Sequence, residues 1–383
     1  MTEIRNVAVF GAGVMGASIA AHVANAGIKV RLLDIAKTDG PSRSTIAIAA
    51  VDRLLKMQPA PLMHRRNAEL ITPGNIDDDI AGIADCDWII EAIVERVDLK
   101  RTLYEKIERA RRPGSVVSSN TSTIPLATLV ETMPDSFAAD FLITHFFNPP
   151  RYLRLLEVTA GARTRKDAVE TISRFADLRL GKTVVRCKDT PGFIGNRIGI
   201  YWLQCSVLHA MEAGLTVEEA DAVLGRPMGV PKTGVFGLLD MVGLDLMPHV
   251  LGSMAASLPK EDPFHAVFRE PALIKKMIAE GYTGRKGKGG FYRLKPDDPG
   301  KAREAIDLTS GAYRATRKAA LASVAQARKR GLRALLEHPD KGGRYAWWVL
   351  ARTLSYAARL VPEIADDIVA VDEAMRLGYN WKY

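Results

Sequence analysis

Apolar, β-branched segments alternate with stretches of helical spacing along the first half of the chain. The strand-like segments share this composition and lie at residues 4–10, 29–33, 88–90, 115–118 and 141–145. Two further segments of this kind, at residues 153–159 and 183–187, flank a predicted helix at residues 165–178. Short strands separated by helices are typical of a doubly wound sheet. The pattern therefore predicts an α/β, Rossmann-like domain over residues 1–187.

The hydrophobic pattern changes after residue 187. Residues 193–213 keep helical spacing throughout, and almost every later segment up to residue 280 has the same periodicity. We therefore expect an all-α helical domain over residues 188–295. Glycine and lysine are frequent at residues 284–290, and proline and aspartate at residues 296–300, which predicts loops and a linker over residues 296–311.

A weak internal repeat relates residues 197–221 to residues 344–372, because each stretch combines an aromatic-rich helix with a short acidic helix. We interpret residues 312–383 as a second, incomplete copy of the helical domain that packs on the first. The alternative is that two amphipathic aromatic helices merely look alike.

A glycine-rich turn, GAGVMG at residues 11–16, follows the first strand and opens the first helix. Gly11 permits the tight turn, Gly13 lets the backbone approach a pyrophosphate, and Gly16 lets the helix pack closely on the strand. Asp34 ends the next strand, 23 residues after Gly11. Its carboxylate would accept hydrogen bonds from the ribose and repel a 2'-phosphate, which favours NAD over NADP. The segment, including Met15, is therefore predicted to bind NAD.

Polar side chains follow two later strands, at the edge where open α/β sheets bind ligands. Ser122 lies just after one strand and His145 ends the next, while Glu157 interrupts an apolar segment. Taken singly, these residues could be a helix N-cap, a core histidine and a surface charge. Taken together they offer what a dehydrogenase needs: a histidine base, a carboxylate that orients it, and a hydroxyl for the substrate oxygen.

The sequence from residue 7 to about residue 245 resembles the 3-hydroxyacyl-CoA dehydrogenases of fatty acid β-oxidation. The resemblance is carried by SNTS at residues 119–122, HFFNP at residues 145–149 and DTPGFIGNR at residues 189–197. It implies oxidation of 3-hydroxyacyl-CoA to 3-ketoacyl-CoA with NAD. His145 would be the catalytic base, Glu157 its partner, and Ser122 and Asn196 the contacts to the substrate's C3 oxygen.

The same resemblance implies that Glu95, Lys100 and Asn120 approach the cofactor. For Glu95 and Lys100 the alternative is an exposed helix entry with an ordinary charge pair. Finer features, such as ITPGN at residues 71–75, are similar to multifunctional β-oxidation proteins in which an enoyl-CoA hydratase half follows the dehydrogenase half. No hydratase half is present here. Because the second helical copy ends eleven residues after Asp372, whereas the first continues for dozens of residues beyond Asp221, we expect a truncated dehydrogenase portion with apolar surface uncovered near Trp381 and Tyr383. Uncovered surface favours a homodimer, whereas internal pairing of the two copies favours a monomer.

Composition limits the alternatives. Lys and Arg (53) exceed Asp and Glu (44) by nine, and residues 301–360 alone hold 13 basic and 4 acidic side chains. This excess lies far along the chain from the catalytic motifs, and we interpret it as a solvated helical surface rather than a nucleic-acid site. Three scattered cysteines form no metal-ligand cluster and fit a cytoplasmic protein. No apolar segment approaches the ~18 residues of a membrane span.

Two other classes of protein would share parts of this sequence pattern. A β-hydroxyacid dehydrogenase would share the Rossmann domain and the helices, but would be expected to carry a lysine base on the long helix, and residues 192–213 contain no lysine. A non-catalytic NAD-binding structural protein would not need base, partner and oxygen ligands together.

Overall fold

The computed structural model describes residues 3–296, 298, 300 and 302–382, which form two compact units. The N-terminal unit contains the chain up to Ile194 together with Glu363–Gly378. The C-terminal unit contains Gly195–Pro362 together with the residues from Tyr379 onward.

An eight-stranded sheet forms the core of the N-terminal unit. Its strands are β1 (Asn6–Phe10), β2 (Lys29–Asp34), β3 (Ile71–Asn75), β4 (Trp88–Glu91), β5 (Val116–Ser119), β6 (Phe141–Phe146), β7 (Leu155–Ala160) and β8 (Thr183–Cys187). They follow the order β3-β2-β1-β4-β5-β6-β7-β8. Strands β1 to β6 run parallel, β7 runs antiparallel to β6, and β8 runs parallel to β7. The predicted doubly wound α/β sheet is confirmed, and the carboxyl ends of β1, β4, β5 and β6 share one edge.

Strand β3 was not among the predicted strands. It contains Pro73 and Gly74, which hide the usual composition of a strand. Proline cannot donate a hydrogen bond to a ladder and is tolerated mainly at sheet edges. The structure places β3 at the edge of the sheet, beside β2.

Helices cover both faces of this sheet. They are α1 (Val14–Asn25), α2 (Thr45–Leu54), α3 (Ile76–Asp79), α4 (Val97–Ala110), α5 (Leu126–Val130), α6 (Asp135–Asp140) and α7 (Lys166–Leu180), with short 3-10 turns at Arg65–Leu70 and Ile80–Asp85. Ile19 of α1 and Ile172 of α7 are completely buried in one hydrophobic cluster with Trp88 of β4. A fully buried side chain of this kind contributes about 1.5–3 kcal/mol, so the apolar stripes of these helices hold the layers together.

The C-terminal unit is mostly helical. Its helices are α8 (Gly195–Glu212), α9 (Val217–Val223), α10 (Phe236–Val242), α11 (Met247–Ser257), α12 (Phe264–Val267), α13 (Ala272–Ala279), α14 (Ala322–Arg330), α15 (Leu332–Leu336) and α16 (Lys341–Arg359), with 3-10 turns at Arg226–Met228 and Leu244–Leu246. Helix α8 is buried along most of its length because α16 packs on it. Tyr201 of α8 stacks on Tyr356 of α16 with ring centroids 4.0 Å apart.

The structure contains a small antiparallel sheet where an all-α domain and an irregular linker were predicted. Strands β9 (Tyr292–Leu294), β10 (Arg303–Ile306) and β11 (Tyr313–Ala315) form it in the order β11-β10-β9. These strands are three or four residues long, too short for a periodic pattern to identify. Residues 297, 299 and 301 of the predicted linker lie outside the described residues.

The predicted second copy, residues 312–383, is divided between the two units. Helix α16 packs on α8 in the C-terminal unit, but α17 (Ile368–Gly378) packs on β7 and β8 of the N-terminal unit. Trp381, expected at an uncovered surface, is half-buried, with its ring 5.2 Å from that of Trp202. Tyr383 lies outside the described residues. Within the part of the chain that the structure describes, no helix is both long enough and apolar enough to cross a membrane.

Candidate active site

The glycine-rich turn connects β1 to α1. Gly11 has a φ of +97°, and a Cβ there would lie 2.5 Å from the carbonyl oxygen of Ala92. A Cβ on Gly16 would lie 1.8 Å from the carbonyl oxygen of Gly11. By contrast, no atom lies within 4 Å of a Cβ built on Gly13, the N-cap of α1. Gly11 and Gly16 are thus required by the protein's own backbone, whereas Gly13 leaves open space at a helix N-terminus, where a pyrophosphate is stabilised.

Asp34 is held beside this turn. Its Oδ2 accepts a hydrogen bond from the backbone N–H of Ala12 at 2.5 Å, and its Oδ1 accepts one from Ile35 at 2.7 Å. The side chain of Met15 is partly buried against the core under α1. An open helix N-terminus with a carboxylate at the end of β2 fits the diphosphate and ribose of NAD.

His145 and Glu157 are paired residues on β6 and β7. The Nδ1–H of His145 donates to Oε2 of Glu157 at 2.7 Å. Oε1 of Glu157 accepts the backbone N–H of Ile194 at 3.1 Å. Glu157 has no exposed surface and His145 is 4% exposed, with the ring of Phe193 at 5.6 Å from the imidazole. The interpretation of Glu157 as a surface charge is therefore wrong. Its carboxylate is a buried partner of the imidazole.

Ser122 lies on the other side of the imidazole. Its Oγ is 3.2 Å from Nε2 of His145. Asn120, two residues earlier, accepts the backbone N–H of Phe146 on its Oδ1 at 2.9 Å. This bond ties the end of β5 to the end of β6, so that Ser122 is kept close to His145.

Glu95 anchors the loop that carries Ser122. Its Oε1 accepts the hydroxyl of Thr121 at 2.5 Å and the backbone N–H groups of Ser122 and Thr123 at 2.9 and 3.2 Å. Burial acts to raise the pKa of Glu95, but the nearby Lys100 ammonium and these hydrogen bonds outweigh it, so the pKa lies below its usual value. Glu95 is therefore a charged anchor.

Lys100 is 1% exposed, so the alternative interpretation of this residue as part of an exposed helix entry is wrong. Its Nζ lies 2.6 Å from Oε1 of Glu91 and 3.3 Å from Oε2 of Glu95. Sequence reasoning missed Glu91, together with Tyr104 and Ser119 that bond to it. The signal was present, because Glu91 ends an apolar strand just as Glu157 interrupts one.

Asn196 belongs to the C-terminal unit, in the first turn of α8. Its role toward the substrate oxygen stays a prediction. The residues that the structure brings together within the N-terminal unit are Ser122, His145 and Glu157, with Glu95, Lys100 and Asn120 around the same loop.

Two family models match the chain. The model described as 3-hydroxyacyl-CoA dehydrogenase, NAD binding domain, matches residues 6–190. The model described as 3-hydroxyacyl-CoA dehydrogenase, C-terminal domain, matches residues 192–294.

Individual proteins extend the match. A Rickettsia felis protein, named as a candidate fatty acid oxidation complex trifunctional enzyme, is 39% identical over 381 residues, which cover 100% of this chain and 52% of the relative. A candidate 3-hydroxyacyl-CoA dehydrogenase of Deinococcus radiodurans is 41% identical over 301 residues, covering 79% of this chain and 86% of the relative. The chain spans about half the length of the curated relatives that match nearly all of it.

A solved structure agrees in fold. The crystal structure of 3-hydroxybutyryl-CoA dehydrogenase from Escherichia coli has a TM-score of 0.73, covering 99% of this chain and 90% of that chain, at 23% identity. That likeness bears on the fold alone. The two family models and the Deinococcus relative show that the chain belongs to the 3-hydroxyacyl-CoA dehydrogenase family of NAD-dependent oxidoreductases.

Proposed function

We propose that this chain oxidises (S)-3-hydroxyacyl-CoA to 3-ketoacyl-CoA with NAD, as a step of fatty acid β-oxidation, and that His145 is the general base. The observation that carries the proposal is the line of contacts from Glu157 through His145 to Ser122. It lies at the carboxyl end of β6, at the same sheet edge as the glycine-rich turn.

The tautomer of His145 follows from its partners. Because Glu157 accepts the Nδ1–H, the lone pair of Nε2 points toward Ser122 and is available for the proton of the substrate's C3 hydroxyl. When Nε2 takes that proton, the imidazole becomes positively charged and the buried carboxylate of Glu157 stabilises it. NAD, when bound, supplies the acceptor for the C3 hydride.

Ser122 and Asn196 are proposed to hold the C3 oxygen as it becomes a carbonyl. A hydroxyl and an amide can both donate to that oxygen, which stabilises the partial negative charge that it carries in the transition state. The rings of Phe147 and Phe193 flank the imidazole at 4.7 and 5.6 Å and limit its contact with water.

The residues proposed to bind NAD lie in the glycine-rich turn, at the end of β2, at or just before the start of α4, and just after β5. They are Gly11, Gly13, Met15, Gly16, Asp34, Glu95, Lys100 and Asn120. Among them, Gly13 and Asp34 present the open helix end and the ribose acceptor.

We further propose that this dehydrogenase activity works beside an enoyl-CoA hydratase activity, since hydration of an enoyl-CoA yields the hydroxyl that this site oxidises. The name of the Rickettsia felis relative supports a place in a multifunctional system. A cytoplasmic location is proposed because Cys86, Cys187 and Cys205 are free and buried thiols.

The direct test follows NADH and NADPH absorbance during reduction of acetoacetyl-CoA and of longer 3-ketoacyl-CoA thioesters. We expect turnover with NADH and much weaker turnover with NADPH. Free 3-hydroxyacids are the control for a β-hydroxyacid dehydrogenase. Turnover of free acids without turnover of thioesters would overturn the proposal, and so would NADH binding without turnover of either.

A further inference from the structure

A cluster of buried charges lies beneath the loop that carries Ser122. Glu91 ends β4 and Lys100 lies in α4, and neither is more than 1% exposed. Tyr104 and Ser119 are completely buried beside them. Buried charges are rare in proteins unless they are paired and hydrogen-bonded. A cluster of this size therefore calls for a role that apolar side chains could not fill.

Glu91 is the centre of the cluster. Its Oε1 is 2.6 Å from Nζ of Lys100 and accepts the backbone N–H of Ile93 at 2.8 Å. Its Oε2 accepts the hydroxyls of Tyr104 and Ser119 at 2.6 and 2.7 Å. Four donors converge on one carboxylate, so its orientation is well defined.

One route from Glu91 to the catalytic loop runs through hydroxyl groups. Ser119 donates its hydroxyl to Glu91, and its Oγ accepts the backbone N–H of Thr121 at 3.1 Å. Thr121 directly precedes Ser122, so this route fixes the backbone at the point where the loop leaves β5.

A second route runs through charge. Lys100 lies between two carboxylates, with Oε2 of Glu95 at 3.3 Å, and Oε1 of Glu95 accepts the backbone N–H of Ser122 at 2.9 Å. Charges interact far more strongly in a buried site than in water. If Glu91 loses its charge, Lys100 has Glu95 as its charged neighbour and draws that carboxylate away from the N–H of Ser122.

We propose that Glu91 is a positioning residue for Ser122, acting through Ser119 and through the Lys100–Glu95 pair. It touches none of the reacting groups. It sets the place of the Ser122 hydroxyl, which lies 3.2 Å from Nε2 of His145. The inference rests on the proposed function, because it assigns Ser122 to the substrate oxygen.

The test is a double-mutant cycle on the full chain, measured as kcat for 3-ketoacyl-CoA reduction at saturating NADH. Glu91→Gln keeps the size of the side chain and removes its charge, and we expect it to lower kcat by about tenfold or more. Ser122→Ala removes the group on which it acts. The kcat of the double variant should then be no more than about twofold below that of Ser122→Ala alone. The effects of two coupled residues are not additive, because Glu91 has nothing left to position once the Ser122 hydroxyl is gone.

The matched control is Asp140→Asn. Asp140 lies next to β6, at the opposite end of that strand from His145, and pairs with Arg111 at 2.6 Å in a similarly buried site. This variant should lower the thermal midpoint while kcat stays within about twofold of wild type. Tyr104→Phe removes one hydrogen bond to Glu91 and keeps every charge. If Glu91→Gln does not fold, the same double-mutant cycle is measured with Tyr104→Phe and Ser122→Ala.

The outcomes separate the two proposals. The positioning role would be overturned by an unchanged kcat in Glu91→Gln. It would also be overturned if the decreases in kcat multiplied when Glu91→Gln and Tyr104→Phe were each combined with Ser122→Ala. In either case, wild-type turnover would still support the dehydrogenase. A wild-type protein without thioester turnover would overturn the proposed function itself.

Discussion

His145 and Glu157 face each other across the antiparallel pair β6 and β7, with Nδ1 and Oε2 2.7 Å apart. The pairing places the carboxylate on the far side of the imidazole from Ser122. A shift of register by one residue would turn Glu157 to the other face of the sheet. The register of two strands therefore decides whether the histidine has an orienting partner.

His145→Ala should lower kcat by about two to four orders of magnitude, the usual contribution of a positioned base. NADH affinity should stay nearly unchanged, because His145 lies on β6 whereas the glycine-rich turn follows β1. Steady-state kinetics and a fluorescence titration with NADH measure the two quantities. A variant that retained more than half of wild-type turnover would remove His145 from the reaction.

Asp34→Ser should narrow the preference for NADH over NADPH. The carboxylate sits beside the turn through its bond to Ala12 and would oppose a 2'-phosphate. The measurement is the ratio of kcat/KM for the two cofactors, with Asp34→Asn as a second variant that keeps an acceptor and removes the charge. Equal use of both cofactors by the wild type would show that Asp34 has another role.

Two alanine substitutions in the glycine-rich turn should behave differently. Gly13→Ala meets no protein atom within 4 Å and should leave the unfolding free energy within about 1 kcal/mol of wild type, yet weaken NADH binding by about tenfold or more. Gly16→Ala meets the carbonyl oxygen of Gly11 and should destabilise the fold itself. Denaturant unfolding and NADH titration of both variants test the pair. Normal NADH affinity in Gly13→Ala would mean that the pyrophosphate lies elsewhere.

His22 should make the fold sensitive to acid. Burial, and to a smaller extent the positive charge of Lys182, lowers the pKa of His22 to about 3, against about 6.5 in an unfolded chain. The unfolded chain binds this proton more tightly than the folded one. Above about pH 6.5 the imidazole is neutral in both states and the free energy of unfolding is not reduced. As the pH falls from about 6.5 toward 3, the free energy of unfolding decreases by about 1 kcal/mol per pH unit.

Urea unfolding of wild type and His22→Leu at several values between pH 7 and pH 4 measures this effect. The variant should lose less stability on acidification than wild type. Substitution of the exposed His249 by leucine is the control and should leave the wild-type slope intact. Parallel curves for wild type and His22→Leu would contradict the prediction.

The sequence by itself determined the features that rest on local pattern. Alternating apolar segments predicted the doubly wound sheet, and the glycines at residues 11–16 with Asp34 indicated a dinucleotide-binding turn. Polar residues at strand ends indicated Ser122 and His145, because parallel strands end at a shared edge. Glu157 stood out as a charge in an apolar segment.

The tertiary structure decided what depends on partners distant along the chain. Strand β3 was not predicted because it contains Pro73, and the second sheet was not predicted because its three strands are very short. Helix α17 belongs to the N-terminal unit rather than to the helical one. The burial of Lys100 between Glu91 and Glu95 could not be read from an ordinary amphipathic helix. Periodicity reports which face of an element is apolar, but not which element covers that face or which charges meet beneath it.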